Sequence, residues 1–171
     1  ELKELARKVK VLQSNAVLFF TGVLGVESLE KYHETICEKV VEYDRLAIKA
    51  CHAVGKTWIM GRISLWFLKC FKNSIVITTA PTNRQVETLL WGEIRKAHRN
   101  SKTRLGGKLL NKKLTIDDDW YAMGFSPSTG AASDSDEQQG SAFQGFHAKH
   151  VMIIFDETKG IPRDLYTMTE G

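Results

Sequence analysis

Cysteine is scarce in this chain, and the three that occur exclude a covalent framework. Cys37, Cys51 and Cys70 are odd in number and never spaced as CxxC, so no disulfide scaffold is expected and a reducing cytosol suits them. Long apolar runs are also missing. The richest stretch, Ile59 to Phe71, is interrupted by Arg62 and Lys69. It reads as a buried helix and not as a membrane span. The first residues, Glu1-Leu2-Lys3-Glu4, lack both a starting Met and the apolar core of a signal peptide, which reads as a processed or trimmed chain. No internal repeat is visible.

What remains is ordinary globular material. The 171 residues are 43% hydrophobic and 26% charged, enough for one domain with a real core. The net charge of +4 permits a polyanionic partner such as DNA without requiring one.

Periodicity then orders the chain. Leu2, Leu5, Val9 and Leu12 predict a helix over residues 1–13. A second helix is expected from Ser28 or Leu29 to about Tyr43, with Ser28 as its cap and Glu30 and Glu34 near its start. "RLAIKA", residues 45–50, alternates and predicts a strand. After Lys56, Ile59, Ile63, Trp66 and Cys70 share one helical face. "NSIVITTAPT" predicts a buried strand, and "RQVETLLWGEIRKAHR" a helix through Val86, Leu89, Leu90 and Ile94. Strand, helix, strand, helix argues for an α/β domain with a mainly parallel sheet flanked by helices. "KKLTIDDDWYAMGFS" predicts a β-hairpin turning at Asp117-Asp118. Residues 127–141 are small, polar and acidic, the composition of a mobile loop. "HVMIIFDE" is the last clear strand. His147 and His150 are three apart and would point to opposite faces of it, a poor start for a metal site.

Chemistry concentrates at two places. "KACHAVGKTW", residues 49–58, ends as a phosphate loop of the type G-x-x-x-x-G-K-[ST], with Ala50 in the place of the first glycine. Such a loop turns backbone N–H groups onto phosphate oxygens, reaches the β- and γ-phosphates with a Lys, here Lys56, and holds Mg²⁺ with a hydroxyl, here Thr57. The tripeptide Gly55-Lys56-Thr57 alone is weak, since some such tripeptide arises by chance in about one chain of this length in ten. The second place is "VMIIFDE", residues 151–157. It delivers Asp156 to a strand end, where it can complete a Mg²⁺ shell, and Glu157 one step on, where it can deprotonate a water attacking a γ-phosphate. The two motifs, in this order, predict nucleotide hydrolysis.

Several stretches together resemble a known family: "FFTGVLGVESLEKYHETI", "RLAIKACHAVGKTW", "ITTAPTNRQVETLLWGEIRK", "DDDWYAMGFS" and "AFQGFHAKHVMIIFDETKGIP". They look like the ATPase half of large terminase subunits, the DNA-packaging motors of tailed bacteriophages and prophages. The resemblance runs from about Phe19 to the end of the chain. It implies a P-loop NTPase of the additional-strand, catalytic-Glu type with a β-hairpin insertion. Residues 1–44 would form N-terminal helices and an adenine-side segment, and residues 45–171 the ATPase core. Lys56 and Thr57 match the phosphate-loop Lys and the Mg²⁺ ligand, and Asp156 and Glu157 the Mg²⁺ carboxylate and the catalytic base. The nucleotide would lie along Lys49, Ala50, Cys51, His52, Ala53, Val54, Gly55, Lys56, Thr57 and Trp58. Ala50 fits the family, whose loops often lack the first glycine. Ala53 stands where related loops commonly have Gly, so a left-handed backbone there would cost something.

The resemblance further implies ATP and Mg²⁺ as ligands, with Tyr32 stacking on the adenine and His33 bonding its edge. Lys49, His52 and Arg84 are the candidates for a residue stabilising transferring charge, Arg84 by reaching a neighbouring subunit. The implied partners are double-stranded DNA, the portal protein of a procapsid and a small terminase subunit, with no membrane. The implied assembly is a ring, with a monomer in isolation, in the cytoplasm of a bacterial host. The chain stops at Gly171 without the strand expected after the Asp-Glu pair and without an acidic cluster for a nuclease, so no DNA cleavage is expected of it. The competing expectations are a helicase-like DNA-dependent ATPase and a nucleotide-dependent binding module.

Overall fold

The computed structural model describes residues 2–51, 53–126 and 148–161. The loop expected at 127–141, His147 and His52 therefore lie outside the described residues. Helix α1 spans Leu2–Gln13. Helix α2, Ala16–Phe19, is capped by Asn15, whose side chain accepts from the Leu18 N–H at 3.1 Å, and continues as a π turn over Phe20–Leu24. Helix α3 spans Lys31–Glu42. Ser28 does not cap it: the cap position is Glu30, with no side-chain bond to the helix.

Helix α4, Lys56–Cys70, is the spine. Nine of its 15 residues are buried, as expected of a helix packed nearly all round. Trp66 donates its indole N–H to the Leu12 carbonyl at 2.7 Å, and Gln13 donates to the Cys70 carbonyl at 2.7 Å. These two bonds dock α1 across α4. The expected helix after the first strand is present in two pieces, a π turn over Gln85–Leu90 and helix α5, Trp91–Arg99.

Five strands form one sheet: β1 Ser74–Thr79, β2 Lys108–Leu109, β3 Lys113–Asp117, β4 Trp120–Phe125 and β5 His150–Phe155. Their order is β2-β3-β4-β1-β5. Strand β1 runs parallel to β4 and β5, while β2/β3 and β3/β4 are antiparallel. The sheet is thus mixed and not mainly parallel. The predicted hairpin is there, as β3 and β4, but it is built into the sheet through β4, and that makes two of the four pairings antiparallel.

The strand expected at 45–50 does not form. These residues are irregular and mostly exposed, with Leu46 at 39%. Alternation supplies only half of a strand. The other half is a neighbour for its backbone groups, and none of the described strands lies beside this segment.

The period of two along the strands divides the core. Val76, Leu114, Ala122 and Ile154 join Phe20, Ile59, Trp66, Trp91 and Ile94 in the larger cluster. Ile75 and Ile77 face the other way, with Tyr121, Met123 and Phe155. All three cysteines are free, and burial pushes the Cys37 and Cys70 thiols up to about 12. Among the described residues no helix is long and apolar enough to cross a membrane.

The tightest joint lies between α5 and β4. Trp91 donates its indole N–H to the Thr78 hydroxyl at 2.9 Å, with both groups buried. The indole lies so close to Gly124 that a Cβ there would sit 2.5 Å from its nitrogen and 2.6 Å from Val86. Gly124→Ala is therefore expected to destabilise the fold by about 1–3 kcal/mol, the usual cost of overpacking. Urea denaturation measures this, and an unchanged midpoint would contradict so tight a joint.

Candidate active site

The site lies where the start of α4 meets the end of β5. Thr57 donates its hydroxyl proton to Asp156 Oδ2 at 2.9 Å, across 99 residues of sequence. Asp156 is held from the other side as well, because its N–H bonds the Thr79 carbonyl at 2.8 Å and ties it to the end of β1. The carboxylate is only 4% exposed. Burial pushes its pKa up and the adjacent Glu157 charge adds to that, while the Thr57 hydrogen bond and the Lys56 charge pull it down.

The loop before α4 reaches the helix through two left-handed residues. Ala53 has φ 62° and Gly55 has φ 81°. Position 53 thus demands the conformation that favours glycine, and Ala53 adopts it at a cost of about 1–2 kcal/mol. Gly55 is doubly required, since a Cβ there would also meet His33 Nε2 at 3.2 Å. No side chain caps α4 at Gly55, so N–H groups of its first turn are left for an anion. Lys56 turns its ammonium onto the loop's own carbonyls, Ala50 at 3.1 Å and Cys51 at 2.5 Å.

Tyr32 and His33 touch the loop itself. The Tyr32 hydroxyl donates to the Val54 carbonyl. His33 is buried between the Tyr32 and Trp58 rings, at centroid distances of 4.1 and 4.9 Å. Desolvation lowers its pKa and the nearby Arg62 charge adds to this, while Glu30 and the Val54 backbone oppose. The pair expected to read a base thus bolts α3 to the loop. Beside them a cavity of about 620 Å³ opens against α4, lined by Gly25, Val26, Trp58, Arg62, Lys96 and Asn100 among others. The Arg62 guanidinium lies over the Trp58 ring at 3.8 Å and pairs with Glu93 at 3.0 Å.

Glu157 is exposed and takes φ 55°, ψ 61°, the left-handed region, which strains a non-glycine residue. Its carboxylate accepts a hydrogen bond from the Gln85 amide at 2.6 Å. Gln85 is fixed in turn: its carbonyl oxygen accepts from the Thr82 N–H at 3.0 Å and from the Thr82 hydroxyl at 2.8 Å. Sequence reasoning passed over Gln85. The signal was present as the spacing T-x-x-Q, a capping box whose Gln turns back toward the Thr three residues before it.

The other expected residues are distributed around this centre. Lys49, Ala50 and Cys51 lie exposed on the approach to the loop. Arg84 is exposed, directly before Gln85, with no ion pair to the described residues. Thr57 and Asp156 make a hard-oxygen pair of the kind that could hold Mg²⁺. That donor set fits the ion without a larger cluster, and among the described residues no group of three or more His, Cys, Asp and Glu gathers. Comparison with models of known protein families, with curated proteins and with solved structures finds no match to the chain.

The raised pKa of Asp156 has a sign. A carboxyl whose folded pKa lies above its unfolded value favours folding fully below about pH 4, and that contribution is lost as pH rises through the raised value. Near pH 7 the buried charge therefore strains the metal-free fold. Asp156→Asn keeps an acceptor for Thr57 without the charge. It is expected to raise the thermal midpoint at pH 7 without metal, with the gain shrinking toward pH 4. An unchanged or lower midpoint at pH 7 would contradict the assignment.

Proposed function

We propose that this chain hydrolyses ATP at the junction of α4 and β5, as the motor domain of a DNA-translocating machine of the large-terminase kind. The observation that carries the reading is the 2.9 Å contact between Thr57 and Asp156, with Glu157 one residue on. It brings together two motifs that the sequence keeps far apart, as a phosphate-and-Mg²⁺ site would require.

On this reading the Lys56 ammonium leaves the Ala50 and Cys51 carbonyls for the β- and γ-phosphates. The N-terminal turn of α4 faces the same anion. Thr57 and Asp156 are the residues that would hold Mg²⁺, which when bound offsets charge on the phosphates. The cavity beside Trp58 and Arg62 gives the base room next to the loop. Glu157 takes a proton from a water whose oxygen attacks the γ-phosphorus, and the bond to the β-phosphate oxygen breaks. Gln85 positions that carboxylate. Arg84, exposed at the mouth of the site, is the group proposed to reach a neighbouring copy in a ring. Double-stranded DNA, a procapsid portal and a small terminase subunit are the partners that belong to this reading.

Glu157→Gln is expected to keep Mg²⁺-dependent ATP binding and to lower turnover by about 10²–10⁴, the usual range for a positioned base. Isothermal titration and a phosphate-release assay read the two quantities separately. Normal turnover in that variant rules out the assigned base. Stimulation by single strands in place of duplex would move the reading to a helicase-like ATPase.

A further inference from the structure

The net positive charge of this chain comes from one stretch of its sequence. Residues 95–113 contain eight Lys and Arg (Arg95, Lys96, Arg99, Lys102, Arg104, Lys108, Lys112 and Lys113) and no Asp or Glu. The whole chain has 24 basic and 20 acidic residues. Outside this segment 16 basic residues thus face 20 acidic ones, a net −4 against +8 within it. A solvated stretch of sequence usually mixes its signs, and this one does not, with Glu87 meeting it through Asn111 Nδ2 at 3.3 Å.

Six of the eight side chains are displayed. Lys96, Arg99, Lys102, Arg104, Lys108 and Lys113 are exposed, and none is paired with a carboxylate among the described residues. They run from the last turns of α5, through the loop after it, onto β2 and β3. The loop that carries Lys102 and Arg104 is built rather than slack. Leu105 is buried in the core, Thr103 N–H bonds the Val23 carbonyl at 3.0 Å, and His98 Nε2 meets the Gly106 carbonyl at 2.9 Å.

We infer that this surface, from α5 round the β2 edge of the sheet, is the seat of a nucleic-acid duplex held by its phosphates. The composition selects the partner. Single strands are gripped by open aromatic platforms on which bases stack; residues 95–113 contain no Phe, Tyr or Trp, and the half-buried Tyr121 ring beside them is covered by Lys113 Nζ at 4.8 Å. Cations alone follow a backbone and ignore its sequence. The inference rests on the proposed function only in naming that duplex as DNA.

The position suits a motor. Strand β2 is the sheet edge opposite β5, so that end of the surface lies across the sheet from the Thr57–Asp156 contact, while Lys96 at its α5 end borders the cavity given to the base. The turn between β2 and β3 is still tied to the segment that follows β1. Lys112 Nζ donates to Asn83 Oδ1 at 2.6 Å, two residues before the Gln85 that holds Glu157.

Fluorescence anisotropy of the full chain with a labelled random-sequence DNA duplex, without nucleotide and across a range of salt, tests this. Each phosphate contact contributes about −0.9 to the slope of log affinity against log salt. Six contacts predict a slope of about −5. The triple variant Lys102→Gln, Arg104→Gln, Lys108→Gln is expected to flatten that slope by about 3 and to weaken binding at least tenfold in low salt. Lys3→Gln, Lys10→Gln, Lys31→Gln makes the same change in net charge elsewhere and is expected to leave both quantities unchanged. Equal losses in the two variants, no duplex binding by the unaltered chain, or tighter binding of single strands would each overturn the inference. A chain that binds duplex without turning over ATP keeps this surface and loses the hydrolase reading, and the reverse result does the opposite.

Discussion

Asp156 is a carboxylate almost sealed from water, with the Thr57 hydroxyl as its side-chain donor at 2.9 Å. An ion so placed is costly unless it is paired or bound to a cation. Much of the fold serves to keep it there. Strand β5 is held against β1 over its whole length, and the register continues past the strand into the bond from Asp156 N–H to the Thr79 carbonyl. Helix α4, which brings Thr57, is fixed by α1 through Trp66 and Gln13 and by α5 through Arg62 and Glu93. Removing either support frees one side of the contact.

Strain gathers around the same point. Among the described residues three non-glycine residues have positive φ, Ala53, Asn73 and Glu157, and two of them belong to the candidate site. Ala53 turns the chain into α4, and Glu157 carries the carboxylate clamped by Gln85. Each conformation is maintained by neighbours that over-determine it. The loop is bolted to α3 by Tyr32 and packed by His33, and Glu157 is followed by a short 3₁₀ turn, Thr158–Gly160, whose Gly160 lies against Pro81.

The elements whose burial is uniform were legible in the sequence. Strand β1, buried at all six positions, and helix α4, apolar on nearly every side, fall where composition puts them. The β3–β4 hairpin was legible too, from alternation flanking an acidic turn. Elements that need a distant partner were less so. "RLAIKA" has the alternation of a strand, but its neighbour is set by topology, and none of the described strands supplies one. The mixed sheet escaped notice because the side on which a hairpin docks leaves no mark in its own period. In the candidate site, Thr57 and Asp156 were expected from local spacing to belong together, and the contact that joins them is the long-range fact the sequence could only suggest. The Thr82-x-x-Gln85 capping box is legible, but the bond from Gln85 to Glu157 follows only when the ends of β1 and β5 lie side by side.

The central claim is that Thr57, Lys56 and Asp156 form one binding site for a nucleotide triphosphate with Mg²⁺. A ligand that binds only the folded chain raises its thermal midpoint in proportion to occupancy. The most direct measurement is therefore the midpoint of the chain with a non-hydrolysable ATP analogue, with Mg²⁺, and with both together. The account predicts a rise with both that exceeds the sum of the separate effects, and its loss in Thr57→Val. Equal midpoints in all three conditions, or the same rise in Thr57→Val, would contradict it.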